Sequence, residues 1–224
     1  MIKISETEYF SNDGTIRFLN MDCNDFMKGC KDNKFDLIIN DSPYGISVNM
    51  NAGRKQDTKS KKRTVKKWDN ETPNEEHFLE CFRISKNQIF WGANHLIDKI
   101  KKPSSGWIFW DKCVAAGCSF SDGELAWTSF NQSLKKAVIA WSGFIGQEGE
   151  KFHPTTKPIK LYRWILQNYT KPTDTILDCF GGSMSNSIAC HMERRKLTII
   201  ELDKDYFDKA LNRFSIYEQQ MKLF

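Results

Sequence analysis

Apolar residues along this chain follow two rhythms. Alternating or continuous apolar runs predict strands, and returns every three to four positions predict helices. Residues 15–19, Thr-Ile-Arg-Phe-Leu, alternate and read as a strand. A short helix over 24–28 follows Asp22, and residues 35–40, Phe-Asp-Leu-Ile-Ile-Asn, read as a buried strand. Pro73 and Asn74 open a helix through Phe78, Leu79, Phe82 and Ile84. Residues 88–91 and 107–110 are short aromatic strands, with a helical stretch over 94–101 between them. Residues 124–127 and 137–141 read as a further pair of strands, antiparallel to each other. Pro158 opens a helix over Leu161, Trp164, Ile165 and Leu166. A strand at 175–178, a helix at 185–192, a strand at 197–201 and a helix at 204–217 complete the pattern. Strands alternating with helices predict an α/β class: a doubly wound, mostly parallel sheet with helices on both faces.

The chain of 224 residues is long enough for one large domain. Its 40% hydrophobic content is that of a globular protein rather than a disordered one. No apolar run approaches the roughly 20 residues of a membrane helix, and residues 1–6 lack the apolar stretch of a signal peptide. These features predict a cytoplasmic protein with no membrane partner. The seven cysteines form no paired framework and no zinc spacing, so they read as reduced thiols, each a small buried hydrophobe, and no metal is expected. The net charge of +5 matters less than its placement. Arg54, Lys55, Lys59, Lys61, Lys62, Arg63, Lys66 and Lys67 crowd a polar stretch at 49–67 that has no periodicity. That stretch reads as a loop able to attract a polyanion.

Candidate chemistry gathers at two strand ends. Asp41-Ser42-Pro43-Tyr44 follows the strand at 35–40. An acid, a stiffened turn and an aromatic ring at the carboxyl end of a strand suit a flat ring that bears an amine. The carboxylate would accept from the amine and the tyrosine would stack on the ring. The second site is Asp178-Cys179-Phe180-Gly181-Gly182-Ser183-Met184-Ser185, a strand end, a small-residue turn and a helix start. Its glycines admit close backbone approach to a ligand. Glu201 and Leu202 end the next strand, where an acid takes the hydroxyls of a ribose. The turn lacks the Gly-Lys-Ser/Thr ending of a phosphate loop, which disfavours ATP and GTP.

Together these residues make the chain resemble the permuted, β-type DNA amino-methyltransferases, of the adenine-N6 type. Such enzymes place an Asp-Pro-Pro-Tyr segment before a Phe-x-Gly-x-Gly segment. Here Asp41-Ser42-Pro43-Tyr44 precedes Phe180-Gly181-Gly182-Ser183-Met184. Trp68-Asp69, Phe90-Trp91-Gly92-Ala93-Asn94, Trp107 to Lys112, Phe120 to Trp127 and His153-Pro154-Thr155-Thr156-Lys157-Pro158 match family segments as well.

The resemblance implies one Rossmann-like methyltransferase domain over 1–224 with an antiparallel strand at one edge, and S-adenosylmethionine as cofactor. It assigns catalysis to Asp41, Ser42, Pro43 and Tyr44. It assigns cofactor contacts to Asp22, Cys23, Asp41, Thr155, Lys157, Asp178, Phe180, Gly182, Ser183, Met184, Ser185, Glu201 and Leu202. Asp22 reads equally as a plain helix cap. Double-stranded DNA would be held by Arg54, Lys55, Lys61, Lys62, Arg63, Lys66 and Lys67. Residues at about 112–150, with Lys112, Gln132, Lys135 and Lys136, would read its sequence. A homodimer and a cognate restriction nuclease are the further partners implied. The leading Asp41 favours adenine N6; cytosine N4 and a catalytically weakened DNA-binding relative are the alternatives. Two positions depart from the family pattern. Ser42 replaces a proline whose role is a backbone carbonyl, which serine keeps. Met184 replaces a glycine, and is strained if that position requires a positive φ.

Overall fold

The computed structural model describes residues 1–46, 71–115, 121–141 and 156–220. Within them the strands are β1 (Ile2–Lys3), β2 (Glu8–Phe10), β3 (Ile16–Leu19), β4 (Phe35–Asn40), β5 (Ser85–Trp91), β6 (Trp107–Asp111), β7 (Gly123–Thr128), β8 (Lys135–Val138), β9 (Thr175–Asp178) and β10 (Lys196–Ile200). The helices are α1 (Cys23–Lys28), α2 (Glu75–Ile84), α3 (Ile97–Ile100), α4 (Ile159–Tyr169), α5 (Ser185–Met192) and α6 (Lys204–Gln220). One sheet holds all the strands, in the order β1-β2-β3-β10-β9-β4-β5-β7-β6-β8.

The centre of the sheet, β3-β10-β9-β4-β5, is parallel. Its strands bury both faces, so each reads as a nearly continuous apolar run. On β4, Leu37 and Ile39 face the side covered by α4, α5 and α6, where they meet Leu161, Ile165, Ile188 and Phe214. Ile38 faces the other side, with Met27 of α1 and Phe78 and Ile84 of α2. The doubly wound α/β expectation therefore holds.

Antiparallel pairing occurs at both edges rather than one. β1-β2-β3 is an antiparallel meander, and β7 pairs antiparallel with both β5 and β6. The strands expected at 124–127 and 137–141 are not neighbours. β6 lies between them, antiparallel to β7 and parallel to β8. The second strand also begins earlier, at Lys135, because its register sets Lys135 and Lys136 opposite Ile108 and Phe109. Among the described residues, no helix is long and apolar enough to cross a membrane.

Candidate active site

β9 leads outward through α5 to β10, while β4 leads the other way through α2 to β5. The chain thus diverges between β9 and β4, and ligands of open α/β sheets bind at such a switch point. A cavity of about 690 Å³ opens there. Its wall takes Asp22, Cys23, Asp41, Pro43, Lys157, Phe180, Gly182, Ser183, Ser185, Glu201 and Leu202 from the residues expected at the site. Ser42, Tyr44, Asp178 and Met184 are not among the residues that line it. Thr155 and the whole basic block at 54–67 lie outside the described residues.

Asp41 sits in a line of alternating charge. Lys157 Nζ donates to Asp41 Oδ1 and lies 3.2 Å from Glu124 Oε2. Lys112 Nζ holds the other Glu124 oxygen at 2.6 Å. Tyr44 donates its hydroxyl to Asp41 Oδ1 at 2.6 Å and accepts from Lys157 at 3.0 Å. Burial pushes the Asp41 carboxyl above its usual range, and Lys157 opposes that shift. Burial works against ionisation of Glu124 too, but Lys157 and Lys112 hold it down at about 2. Burial disfavours the Lys157 ammonium, yet the two carboxylates raise its pKa. Tyr44 remains a phenol, raised well above its ordinary value by burial and by Asp41.

The Tyr44 ring packs parallel to His95, with centroids 5.6 Å apart. It passes so close to Gly92 that a Cβ there would lie 2.2 Å from its Cε1. Gly92 also adopts a left-handed φ of +64°, so two requirements converge on glycine at that position.

The second constellation closes around Asp178 and Glu201. Asp178 Oδ1 accepts from the Phe180 amide at 3.0 Å, and Oδ2 accepts from Asn186 Nδ2 at 2.9 Å. Burial raises the Asp178 carboxyl to about 7, although both hydrogen bonds oppose it. Glu201 accepts from the Gly182 amide at 2.7 Å and from the Asp203 amide at 2.8 Å. The carboxylate thereby joins the turn after β9 to the end of β10. Arg213 of α6 donates to the Ser183 carbonyl at 2.9 Å and to Ser185 Oγ at 3.0 Å. Met184, buried at 1% exposure, has φ +55°. The position does require a left-handed residue, and methionine occupies it.

Asp22 is a helix cap, accepting from the Asn24 amide at 2.7 Å, and it also lines the cavity. Lys112, expected among the sequence readers, forms an ion pair with Glu124. Residues 123–128 and 135–138, within the expected recognition region, are strands of the sheet. Glu124, Asn40 and His77 have no role in the sequence reading. Asn40 bridges the two halves of the site: its Oδ1 accepts from the Cys179 amide at 3.4 Å and its Nδ2 lies 3.0 Å from His77 Nε2. The other ring nitrogen of His77, Nδ1, faces Asn24 Oδ1 at 2.9 Å. The available signal for Asn40 was a polar residue closing an apolar strand; for Glu124 it was an acid opening one.

A family model described as DNA methylase matches residues 98–212, just over half of the chain. The chain is 41% identical over 61 residues to Type II methyltransferase M.Cfr9I of Citrobacter freundii. It is 33% identical over 66 residues to Type II methyltransferase M.PvuII of Proteus hauseri. These matches cover 27% and 30% of this chain, and only 20% of each relative's own length. Among solved structures, the M1.HpyAVI–SAM complex superposes with TM-score 0.57 at 19% identity, covering 87% of this chain and 97% of that one. PvuII DNA methyltransferase, described as cytosine-N4-specific, gives TM-score 0.60 at 14% identity, covering 93% and 89%. At such identities the likeness is one of fold.

Proposed function

This chain belongs to the DNA methylase family of the N6/N4 class, and from that premise we propose that it transfers a methyl group from S-adenosylmethionine to the N6 amine of adenine in double-stranded DNA. The observation that carries the reading is convergence. Asp41 and Pro43 line the same cavity as Phe180, Ser183 and Glu201, although they come from opposite sides of the switch point. The cavity volume of about 690 Å³ falls within the roughly 300–1,000 Å³ of small-molecule sites. Its wall offers carboxylates at Asp22, Asp41 and Glu201 for hydroxyls and an ammonium, and Met21, Phe180, Leu202 and Tyr206 for an adenine. These residues fit the cofactor, which supplies an electrophilic methyl when bound.

The protein's task is to aim the amine. Asp41 Oδ1 is held by Lys157 and Tyr44, so acceptance from the amine falls to the other carboxylate oxygen. The Ser42 carbonyl accepts the second N–H. Two acceptors on one nitrogen favour a pyramidal amine with its lone pair directed at the methyl. The base reaches Asp41 only after leaving the duplex. Stacking on Tyr44 would contribute about 1–3 kcal/mol toward that cost.

The basic block at 54–67 would contact phosphates, giving salt-sensitive affinity without sequence information. The loops around β7 and β8 would read sequence. A homodimer and a cognate nuclease belong to the same proposal, as does a cytoplasmic site of action. A second reading, cytosine N4, is favoured by the likeness to the PvuII enzyme. A DNA-binding protein with weakened catalysis is favoured by Met184 at φ +55°.

Incubation of unmethylated DNA with the protein and S-adenosylmethionine, followed by digestion and nucleoside mass spectrometry, separates these readings. N6-methyladenine is expected, and Asp41→Ala should abolish it. N4-methylcytosine would transfer the proposal to the second reading. An unmethylated product from protein that binds DNA would favour the third.

A further inference from the structure

The outer strands of the sheet bring one more carboxylate to the surroundings of Asp41. Glu124 stands in β7 opposite Trp110 of β6, and Gly123 stands opposite Asp111. A Cβ on residue 123 would lie 2.4 Å from Phe109 Cε2 and 2.4 Å from the Trp110 carbonyl oxygen. Glycine is therefore what lets β7 approach β6 beside Glu124. Lys112, the residue after β6, is anchored through its backbone on two sides. Its amide donates to the Asp122 carbonyl at 2.9 Å, and its carbonyl accepts from the Trp141 amide at 3.0 Å. Its ammonium lies 5.0 Å from the centre of the Trp110 ring and 2.6 Å from Glu124 Oε1. Neither Glu124 nor Lys112 is among the residues that line the cavity.

We propose, resting on the methyl-transfer reading, that Glu124 is a positioning residue for that reaction: it takes the third donor of Lys157 and so helps to aim the Asp41 carboxylate, while Lys112 holds Glu124 in place. An ammonium carries three N–H donors. Around the buried Lys157 they meet Asp41 Oδ1, the Tyr44 hydroxyl at 3.0 Å and Glu124 Oε2 at 3.2 Å. Asp41 and Tyr44 belong to one turn, and Glu124 comes from the far side of the sheet. Contacts on both sides fix Nζ. Without Glu124 the ammonium can turn about its contacts with Asp41 and Tyr44, and Asp41 loses the fixed partner that orients it. A misaimed acceptor lowers the rate of transfer, because the amine must present its lone pair in line with the methyl. Glu124 also balances charge: Asp41 and Glu124 oppose Lys157 and Lys112, and loss of Glu124 alone leaves one ammonium uncompensated.

Glu124→Gln tests this with little change of shape. A carboxylate serves both ammonium groups, whereas an amide has one accepting oxygen and turns its NH2 toward the other. With unmethylated DNA as substrate, kcat should fall about tenfold while KM for S-adenosylmethionine stays unchanged. The double variant Lys112→Met/Glu124→Gln frees the amide oxygen for Lys157 and leaves Lys157 balanced by Asp41. Its kcat should return to within about threefold of wild type. A merely structural role would make the second substitution add to the damage. Wild-type kcat in Glu124→Gln, a raised KM with unchanged kcat, or a double variant as slow as the single one would overturn the proposal. If Glu124→Gln does not fold, the rate of the double variant decides. A second readout needs no activity. The Lys157 ammonium is followed by 15N NMR, its signal assigned by its loss in Lys157→Arg. Exchange of its protons with water should be about tenfold faster in Glu124→Gln, and unchanged exchange would overturn the proposal. A wild-type protein that transfers no methyl group would count against the methyl-transfer reading, while the exchange rate still decides whether Glu124 holds Lys157.

Discussion

Asp178 makes folding stability depend on pH in a calculable way. Burial raises its carboxyl from 3.8 to about 7 in the folded protein. A group with a raised folded pKa favours folding below its unfolded pKa, and that advantage is lost as pH rises through the folded value. The folded state binds the extra proton between these limits, so stability declines there by about 1.4 kcal/mol per pH unit. Between about pH 5 and about pH 8 the loss from this one residue comes to about 2.5 kcal/mol. Asp178→Asn removes the titration and preserves the shape. The new amide oxygen keeps the Phe180 N–H, and its NH2 is accommodated if the Asn186 amide turns over. Urea denaturation of both proteins near pH 5 and near pH 8 checks this. The Asp178→Asn variant should gain on the wild type by about 2–3 kcal/mol across that range. Other titrating groups cancel in the difference. A gap that does not change with pH would refute the reasoning, because it would mean that Asp178 ionises alike in both states.

Three further outcomes are expected. Lys157→Met leaves Asp41 and Glu124 facing each other without their shared ammonium; denaturation near neutral pH should show a loss of about 3–5 kcal/mol. A variant with wild-type stability would mean that the contacts of Lys157 carry little energy. Met184→Gly loses a buried side chain worth about 2–5 kcal/mol but relieves about 1–2 kcal/mol of left-handed strain. It should therefore be more stable than Met184→Ala, and the reverse order in urea midpoints would contradict strain at this position. Neutralising Lys61, Lys62 and Arg63 should weaken binding to all DNA sequences alike. The slope of log affinity against log salt should become shallower by about 0.9 per phosphate contact removed, whereas a loss confined to one sequence would argue for base contacts.

The parallel centre of the sheet was legible because its strands bury both faces and read as apolar runs. β1 and β2 were not, since Ile2–Lys3 is exposed and Glu8–Phe10 only half buried. Such short edge strands gain their pairing from β3 rather than from their own pattern. The β7–β8 pairing failed for a related reason. Consecutive strands pair more often than not, but here the Trp110 indole donates to the Ile139 carbonyl at 2.9 Å and ties β6 to the chain beyond β8. No local pattern announces that contact. The turn at Asp41 and the turn at Phe180 were each visible as strand, small residues and an acid. Their shared cavity was not, because it depends on β4 and β9 being neighbours.

The charge array around Asp41 shows why the pairing of Asp41 with Lys157 and Glu124 escaped the sequence. Lys157 and Asp41 stand 116 positions apart, and Glu124 comes from a third segment. A single buried carboxylate would tend to protonate, and a proton on Asp41 would turn an acceptor into a donor. Lys157 opposes that protonation, but by itself would bind Asp41 as a closed pair. Glu124 divides the ammonium between two carboxylates, and Lys112 compensates the added charge. On the proposed reading, this suits an acceptor better than a base. The amine nitrogen holds its proton firmly until it is alkylated, so its partner needs lone pairs and fixed geometry more than basicity. The ammonium and the phenol give the acid a well-defined orientation. The serine at position 42 fits the same logic, because the second acceptor is a backbone carbonyl that any residue supplies. The side chains that specify the chemistry are therefore Asp41 together with the distant charges that set its ionisation.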